Sequence, residues 1–133
     1  MEVAQRQVDT PAYATATVAP AAANVAEVTI TFRNLNGKPL VTGFYYLFLS
    51  DSPTGVGLTA VTASGAVASK GALYGTDVAV LVAKKALIVQ ARTPAGIVYV
   101  LSITDAAKTA FRVCVQIGGV TQVVATLTTA SYG

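Results

Sequence analysis

Residues 27–49, EVTITFRNLNGKPLVTGFYYLFL, contain two apolar stretches with a turn between them. In the first stretch Val28, Ile30 and Phe32 alternate with polar residues, which is the period-two pattern of a strand with one buried face. Asn36 and Gly37 then tolerate positive φ, and a proline follows them, so the chain should turn there. The segment therefore predicts a strand, a turn over 34–39 and a second strand over 40–49.

The second of these strands is apolar on both sides. One face consists of Phe44, Tyr46 and Phe48, and the other of Tyr45, Leu47 and Leu49. Such a strand is either covered on both sides within the fold or has one face against another subunit, because a monomer rarely exposes three side chains of this size together. We expect Tyr45, Leu47 and Leu49 to contact a partner.

Short β-rich runs separated by turn residues continue to the end of the chain. They lie at 58–62, 66–69, 78–82, 86–92, 97–104, 111–117 and 120–127. A helical turn is expected only at 105–108, with Thr104 or Asp105 as its cap. The pattern predicts an all-β fold of about seven to nine short antiparallel strands, and their short, uneven lengths favour a β-sandwich over a barrel.

Residues 1–25 differ from the rest of the chain and carry two prolines, Pro11 and Pro20, without a clear period. Proline removes a backbone donor and biases its neighbour away from helix, so we expect an extended N-terminal arm followed by one sandwich domain over 26–133. A terminus without order is the alternative. The arm lacks the high charge of a disordered tail, and its apolar residues would gain from a groove on a partner. The arm residues expected at that interface are Val3, Val8, Tyr13 and Val18.

Composition narrows the classes of function. The chain has 133 residues, of which 53% are hydrophobic and 11% charged, against about 25% charged in ordinary soluble domains. No run approaches the roughly 18 to 20 apolar residues of a membrane-spanning helix, and the charged N-terminus does not resemble a secretory signal. The nine basic residues are scattered along the chain, whereas nucleic-acid binding usually needs a cluster. We expect neither a membrane nor a nucleic acid as a partner.

The residues offer little catalytic chemistry. The chain contains no histidine, which rules out Ser-His-Asp and Cys-His arrangements and imidazole metal sites. Its six carboxylates are isolated in sequence, and Asp51 and Asp105 fit turn or cap acceptors. Cys114 is expected to be a buried, inert thiol. We predict no enzyme, no cofactor and no metal, while Tyr45, Tyr74 and Tyr99 leave a sugar-stacking platform open.

Four segments together are similar to bacterial and phage immunoglobulin-like domains of the invasin or intimin type. They are VTITFRNLNGKPL at 28–40, TASGA at 62–66, LSITD at 101–105 and FRVCV at 111–115. Domains of that family open with a strand, an Asn-rich Gly-x-Pro turn and a second strand, and later carry a Thr-x-x-Gly hairpin. The resemblance covers about residues 27–128 and implies an Ig-like sandwich. It departs from the family because tandem copies are absent.

As a single domain with an apolar arm, the chain resembles the small structural proteins of tailed bacteriophages, especially those that decorate or cement a capsid. That resemblance implies a virion protein, made in the host cytoplasm and located on the capsid surface, that bridges subunits of the major capsid protein. It also implies self-association, for which a trimer is expected. The alternative is a tail, fibre or adhesin module that binds host surface polysaccharide.

Overall fold

Two antiparallel β-sheets pack face to face in the computed structural model, which describes residues 10–39, 43–91 and 98–133. The strands are β1 (Tyr13–Pro20), β2 (Val25–Arg33), β3 (Phe44–Ser50), β4 (Val67–Ser69), β5 (Thr76–Val82), β6 (Ala86–Gln90), β7 (Tyr99–Thr104), β8 (Arg112–Ile117) and β9 (Val120–Thr126). Short 3₁₀ turns lie at Ala72–Tyr74 and Thr129–Ser131, and the described residues form no α-helix.

The strand order is β1-β2-β7-β4 in the four-stranded sheet and β5-β6-β3-β8-β9 in the five-stranded sheet. Every pair of neighbouring strands is antiparallel. The predicted all-β sandwich is therefore confirmed, and its nine strands are consistent with an Ig-like arrangement.

The core lies between the sheets and follows the alternation seen in the sequence. Val28, Ile30 and Phe32 of β2 are fully buried, whereas the residues between them are half-buried on the opposite side. The rings of Phe32 and Tyr45 lie parallel with their centroids 3.6 Å apart, which joins β2 of one sheet to β3 of the other. The buried face of β3 is thus the face that carries Tyr45, Leu47 and Leu49.

The predicted turn over 34–39 forms, but it does not make a hairpin. The side-chain oxygen of the buried Asn34 accepts hydrogen bonds from the backbone N–H groups of Asn36 and Lys38, at 2.9 and 3.0 Å. Gly37 has a φ of 81°, as expected for this position. Since β2 and β3 belong to different sheets, the chain crosses from one layer of the sandwich to the other after this turn.

The N-terminal arm predicted over 1–25 needs correction, because residues 13–20 form a regular strand. This strand, β1, pairs with the edge of β2 along its whole length, with Thr15 opposite Thr31 and Thr17 opposite Thr29. Pro11 precedes the strand and Pro20 ends it, so the prolines mark its limits and leave the ladder between them intact. The sandwich therefore begins at β1 and not at residue 26.

One side chain ties β1 to the other sheet. The Gln122 amide of β9 donates its N–H to the carbonyl of Ala14 at 2.6 Å, and its oxygen accepts from the Ala14 N–H at 2.9 Å. This pair of bonds gives the outer edge of β1 the donor and acceptor that a neighbouring strand would supply. It closes the sandwich along the edge formed by β1 and β9.

Two segments, residues 58–62 and 105–108, differ in structure from the sequence prediction. Residues 58–62 are not a strand, because the Thr59 hydroxyl and the Ala60 N–H donate to the Asp51 carboxylate and shape the segment as a loop. Residues 105–108 form a non-helical turn. Asp105 does cap that turn, since its carboxylate accepts the N–H groups of Ala107 and Thr109.

Phe32→Ala should lower the free energy of unfolding by about 3–5 kcal/mol, because it removes a buried ring and leaves a cavity between the sheets. Chemical denaturation measures the change. Phe44→Ala is the matched control, since that ring is 65% exposed and its loss should change stability by less than about 1 kcal/mol. Equal losses in the two variants would contradict the assignment of Phe32 to the core.

Asp105 should make stability depend on pH in the acid range. Burial favours its neutral form, but hydrogen bonds from Thr109, Ser64 and Ala107 outweigh this and hold the pKa below its ordinary value of 3.8. Because the folded carboxyl binds its proton less readily than the unfolded one, its contribution is present above about pH 4 and is lost as the pH falls through the folded pKa.

Asp105→Asn should therefore cost about 1–3 kcal/mol at pH 7 and flatten the fall in stability below about pH 4. Urea unfolding at a series of pH values checks both effects. An unchanged pH profile in this variant would refute the assignment.

Candidate interaction surface

The structure separates the residues that the sequence grouped as a partner interface. Val3 and Val8 lie outside the described residues. Tyr13 and Val18 are half-buried in β1, and Val18 packs against the core. None of the described members of the group is an open apolar side chain.

Tyr45, Leu47 and Leu49 are a clear correction, since all three are buried between the sheets. The face of β3 that was expected to contact a partner is the buried face. Tyr45 stacks on Phe32 between the sheets, and alternate residues of a strand lie on the same side as Tyr45. Burial also raises the pKa of the Tyr45 hydroxyl. The side of β3 that faces outward carries Phe44, Tyr46 and Phe48.

These three residues belong to an apolar outer face on the five-stranded sheet, which we define as Phe44, Tyr46, Phe48 and Ile88. In the strand register, Tyr46 lies beside Ile88 of β6 on one side and Gln116 of β8 on the other. Phe44 is 65% exposed, whereas Phe48 is buried, and the Tyr46 and Phe48 rings pack against each other at 5.2 Å. Cys114 and Val123 continue the face beneath a loop.

That loop, residues 51–58, covers part of the apolar outer face and leaves a shallow cavity of about 400 Å³. The cavity is lined by Tyr46, Phe48, Thr54, Gly55, Val56, Gly57, Leu58, Gln116 and Thr121. Gly55, with a φ of 77°, lies so close to β8 and β9 that a Cβ would stand 2.9 Å from Thr121 Cγ2 and 3.2 Å from Cys114 Sγ. Only glycine allows this approach of the loop to the sheet.

Asp51, at the start of the loop, holds the residues that follow its end. It accepts hydrogen bonds from the Thr59 hydroxyl and the Ala60 N–H, and these bonds lower the pKa of its carboxyl. Its carboxyl is thus an acceptor within the loop, in agreement with the turn role expected from the sequence. Among the described residues, no charged side chain lines the cavity.

The outer side of the four-stranded sheet is polar. At one edge of this sheet lies a threonine face made of Thr15, Thr17, Thr29 and Thr31, which lie opposite one another on β1 and β2. Around this face, the Arg33 Nε donates to the Thr15 hydroxyl at 2.9 Å, and Lys70 forms an ion pair with Glu27 at 3.3 Å. The two outer sides of the sandwich therefore differ in polarity.

A second exposed apolar feature is the β5 edge, which we define as Val78, Val80, Leu81 and Val82. These side chains are 42–61% exposed, although they follow one another almost without interruption in a strand. The sequence signal was present, because residues 78–82 read VAVLV and are apolar at both parities. The sequence predicts this stretch only as a strand and does not assign it to a surface.

The described residues contain no group of three or more Cys, Asp or Glu side chains that could hold a metal ion. Cys114 is fully buried, as the sequence predicted, and burial raises the pKa of its thiol to about 11. Within the described part of the chain, no helix has the length and apolar character to cross a membrane.

Comparison with known proteins adds no relative. Neither a family model, nor a curated protein, nor a solved structure matches this chain.

Proposed function

We propose that this chain is a structural protein of a bacteriophage virion, a capsid decoration or cement protein that bridges subunits of the major capsid protein. The observation that carries the proposal is the unequal polarity of the two outer sides of the sandwich. One side presents the threonine face and the other presents the apolar outer face. A protein that lies on a shell has one side against protein and one side in water, and it needs this polarity.

In this arrangement the apolar outer face lies against the shell, and the threonine face points to solvent. Phe44 is the expected anchor, because a large aromatic side chain that becomes buried supplies much of the binding energy of an interface. The low charge of the chain suits such a contact, since few charged groups would have to lose their water. The resemblance of residues 27–128 to phage immunoglobulin-like domains supports the same assignment.

Phe44→Asp should weaken the affinity of the chain for capsids by roughly 30-fold, which corresponds to the loss of about 2 kcal/mol at an interface anchor. Capsids of the phage that encodes the chain would be stripped of it and titrated with purified variants, and bound protein would be measured after sedimentation. Leu35→Asp is the matched control, because Leu35 is 78% exposed in the turn after β2, a strand of the four-stranded sheet, and is not a residue of the apolar outer face.

A deletion variant tests the contribution of the N-terminal segment. Removing residues 1–9 leaves β1 whole, whereas removing 1–25 would take away a strand of the sandwich. The proposal predicts weaker occupancy for the shorter deletion, with an unchanged circular dichroism spectrum. If mass spectrometry of purified virions does not find the chain, or if Phe44→Asp binds capsids like the unmodified protein, the proposal is wrong.

The cavity beside Tyr46 favours a second function, the binding of host surface polysaccharide by a tail, fibre or adhesin module. Its aromatic floor can stack on the apolar face of a sugar ring. Gln116, whose side-chain N–H donates to the Thr121 hydroxyl at 3.2 Å, supplies an amide at the rim. The absence of charge from the lining fits a neutral glycan.

If the cavity binds a glycan, an array screen followed by calorimetry should give a ligand whose affinity falls at least tenfold in Tyr46→Ala. Removing a stacked ring has an effect of this size. Tyr74→Ala is the control, because Tyr74 lies in the 3₁₀ turn before β5 and is absent from the cavity lining. An array without binding, or equal losses in both variants, would count against this function.

A further inference from the structure

We propose that two copies of this chain associate by antiparallel pairing of their β5 strands across a two-fold axis. The pairing would join the two five-stranded sheets into one continuous sheet. This goes beyond the capsid role, because it holds or fails in the isolated protein.

The first argument is the hydrogen-bonding state of the strand. In the described sheet, β5 pairs only with β6, so its other edge presents backbone N–H and C=O groups to the surroundings. Natural proteins usually protect such an edge with lysine, proline, a bulge or a covering segment. The edge of β5 has two bulges, which limit its partners to a strand of the same twist. The stretch 78–82 carries no charge and no proline. The edge is therefore open to a further strand.

The second argument is that β5 is uncovered on both sides. Val80 has the parity of the buried Leu87, toward the inside of the sandwich, yet it is 61% exposed. At the corresponding edge of the opposite sheet lies β4, which spans only three residues and is too short to lie over all seven residues of β5. A strand added at this edge would cover apolar side chains on both faces.

The third argument concerns shape. The register of β5 against β6 shifts between Asp77 and Ala79 and again between Val80 and Val82, which marks two bulges. Bulges increase the local twist of a strand, so a partner strand must share that twist. A second copy of β5 meets the requirement by symmetry, whereas an unrelated flat strand does not.

Charge selects the antiparallel orientation. Asp77 lies at the start of β5, and Lys84 and Lys85 follow its end. Asp77 accepts hydrogen bonds from the Tyr99 hydroxyl and the Ser69 N–H, and Lys84 Nζ donates to the Ala63 carbonyl, so these charges act at a distance and form no new ion pair. A parallel pair would bring the like charges of the two copies together, whereas an antiparallel pair separates them. Because the pairing uses the single free side of each edge, it ends at two copies. The structure thus favours a dimer over the trimer expected from the sequence.

Analytical ultracentrifugation of the full chain should show a concentration-dependent dimer, and Val80→Lys should raise its dissociation constant at least tenfold. The matched control is Val120→Lys, since Val120 is 68% exposed at the start of β9, the other edge strand of the same sheet. The control should dimerise like the unmodified protein. A monomer at all concentrations, a trimer, or equal effects of the two lysines would overturn the proposal.

Cysteine cross-linking tests the register independently. Facing residues of an antiparallel pair have Cα atoms about 4.5–5.5 Å apart, within reach of a disulfide. In a two-fold antiparallel pair only the residue on the axis faces its own copy, so in a series of single cysteine variants over residues 78–82 one variant should form a covalent dimer on mild oxidation, and that variant gives the register. Val120→Cys and the unmodified chain, whose Cys114 is buried, should stay uncross-linked. Cross-linking through Val120→Cys alone would place the contact at the wrong edge and refute the proposal.

The two proposals fail in different experiments. A chain that remains monomeric in solution but occupies capsids through Phe44 would overturn the β5 pairing and leave the capsid role standing. A dimer that is absent from purified virions would do the reverse.

Discussion

The parallel contact between the rings of Phe32 and Tyr45 is the constraint on which the rest of the structure depends. It joins the two sheets through residues of β2 and β3, which follow one another in the chain but lie in different layers. Because side chains alternate along a strand, placing Tyr45 inside also places Leu47 and Leu49 inside and turns Phe44 and Tyr46 outward. One ring contact thus decides which apolar face of β3 is core and which is surface.

The surface that results is divided by polarity. The four-stranded sheet shows water a threonine face with charged groups around it, whereas the five-stranded sheet shows an aromatic, partly covered face and an apolar edge. The buried Cys114 and the loop acceptor Asp51 serve packing and loop shape. The features left without an internal role are apolar side chains at the surface, and these are the features that association with another protein would use.

Much of the fold could be predicted because its signals are local. The alternation over 28–32, the Asn34 to Gly37 turn and the buried cysteine in β8 all follow from residues within a few positions of one another. The errors concern contacts between distant segments. β1 is a strand because its backbone pairs with the edge of β2 and hydrogen-bonds to the Gln122 amide. Residues 58–62 are a loop because Thr59 and Ala60 donate hydrogen bonds to Asp51. Neither partner can be recognised from the segment alone.

The sequence by itself determined the class of fold and the excess of apolar residues over what one core can bury. Period-two patterns and turn residues establish strands, and composition establishes a weakly charged surface. Only the tertiary structure decided where the excess lies: at Phe44 and Tyr46 on the outer face, and along β5, which β4 is too short to cover. The physical reason is that, when both faces of a strand are apolar, its own residues do not indicate which face is buried. Orientation depends on the layer opposite, and the chain builds that layer from residues far away in sequence.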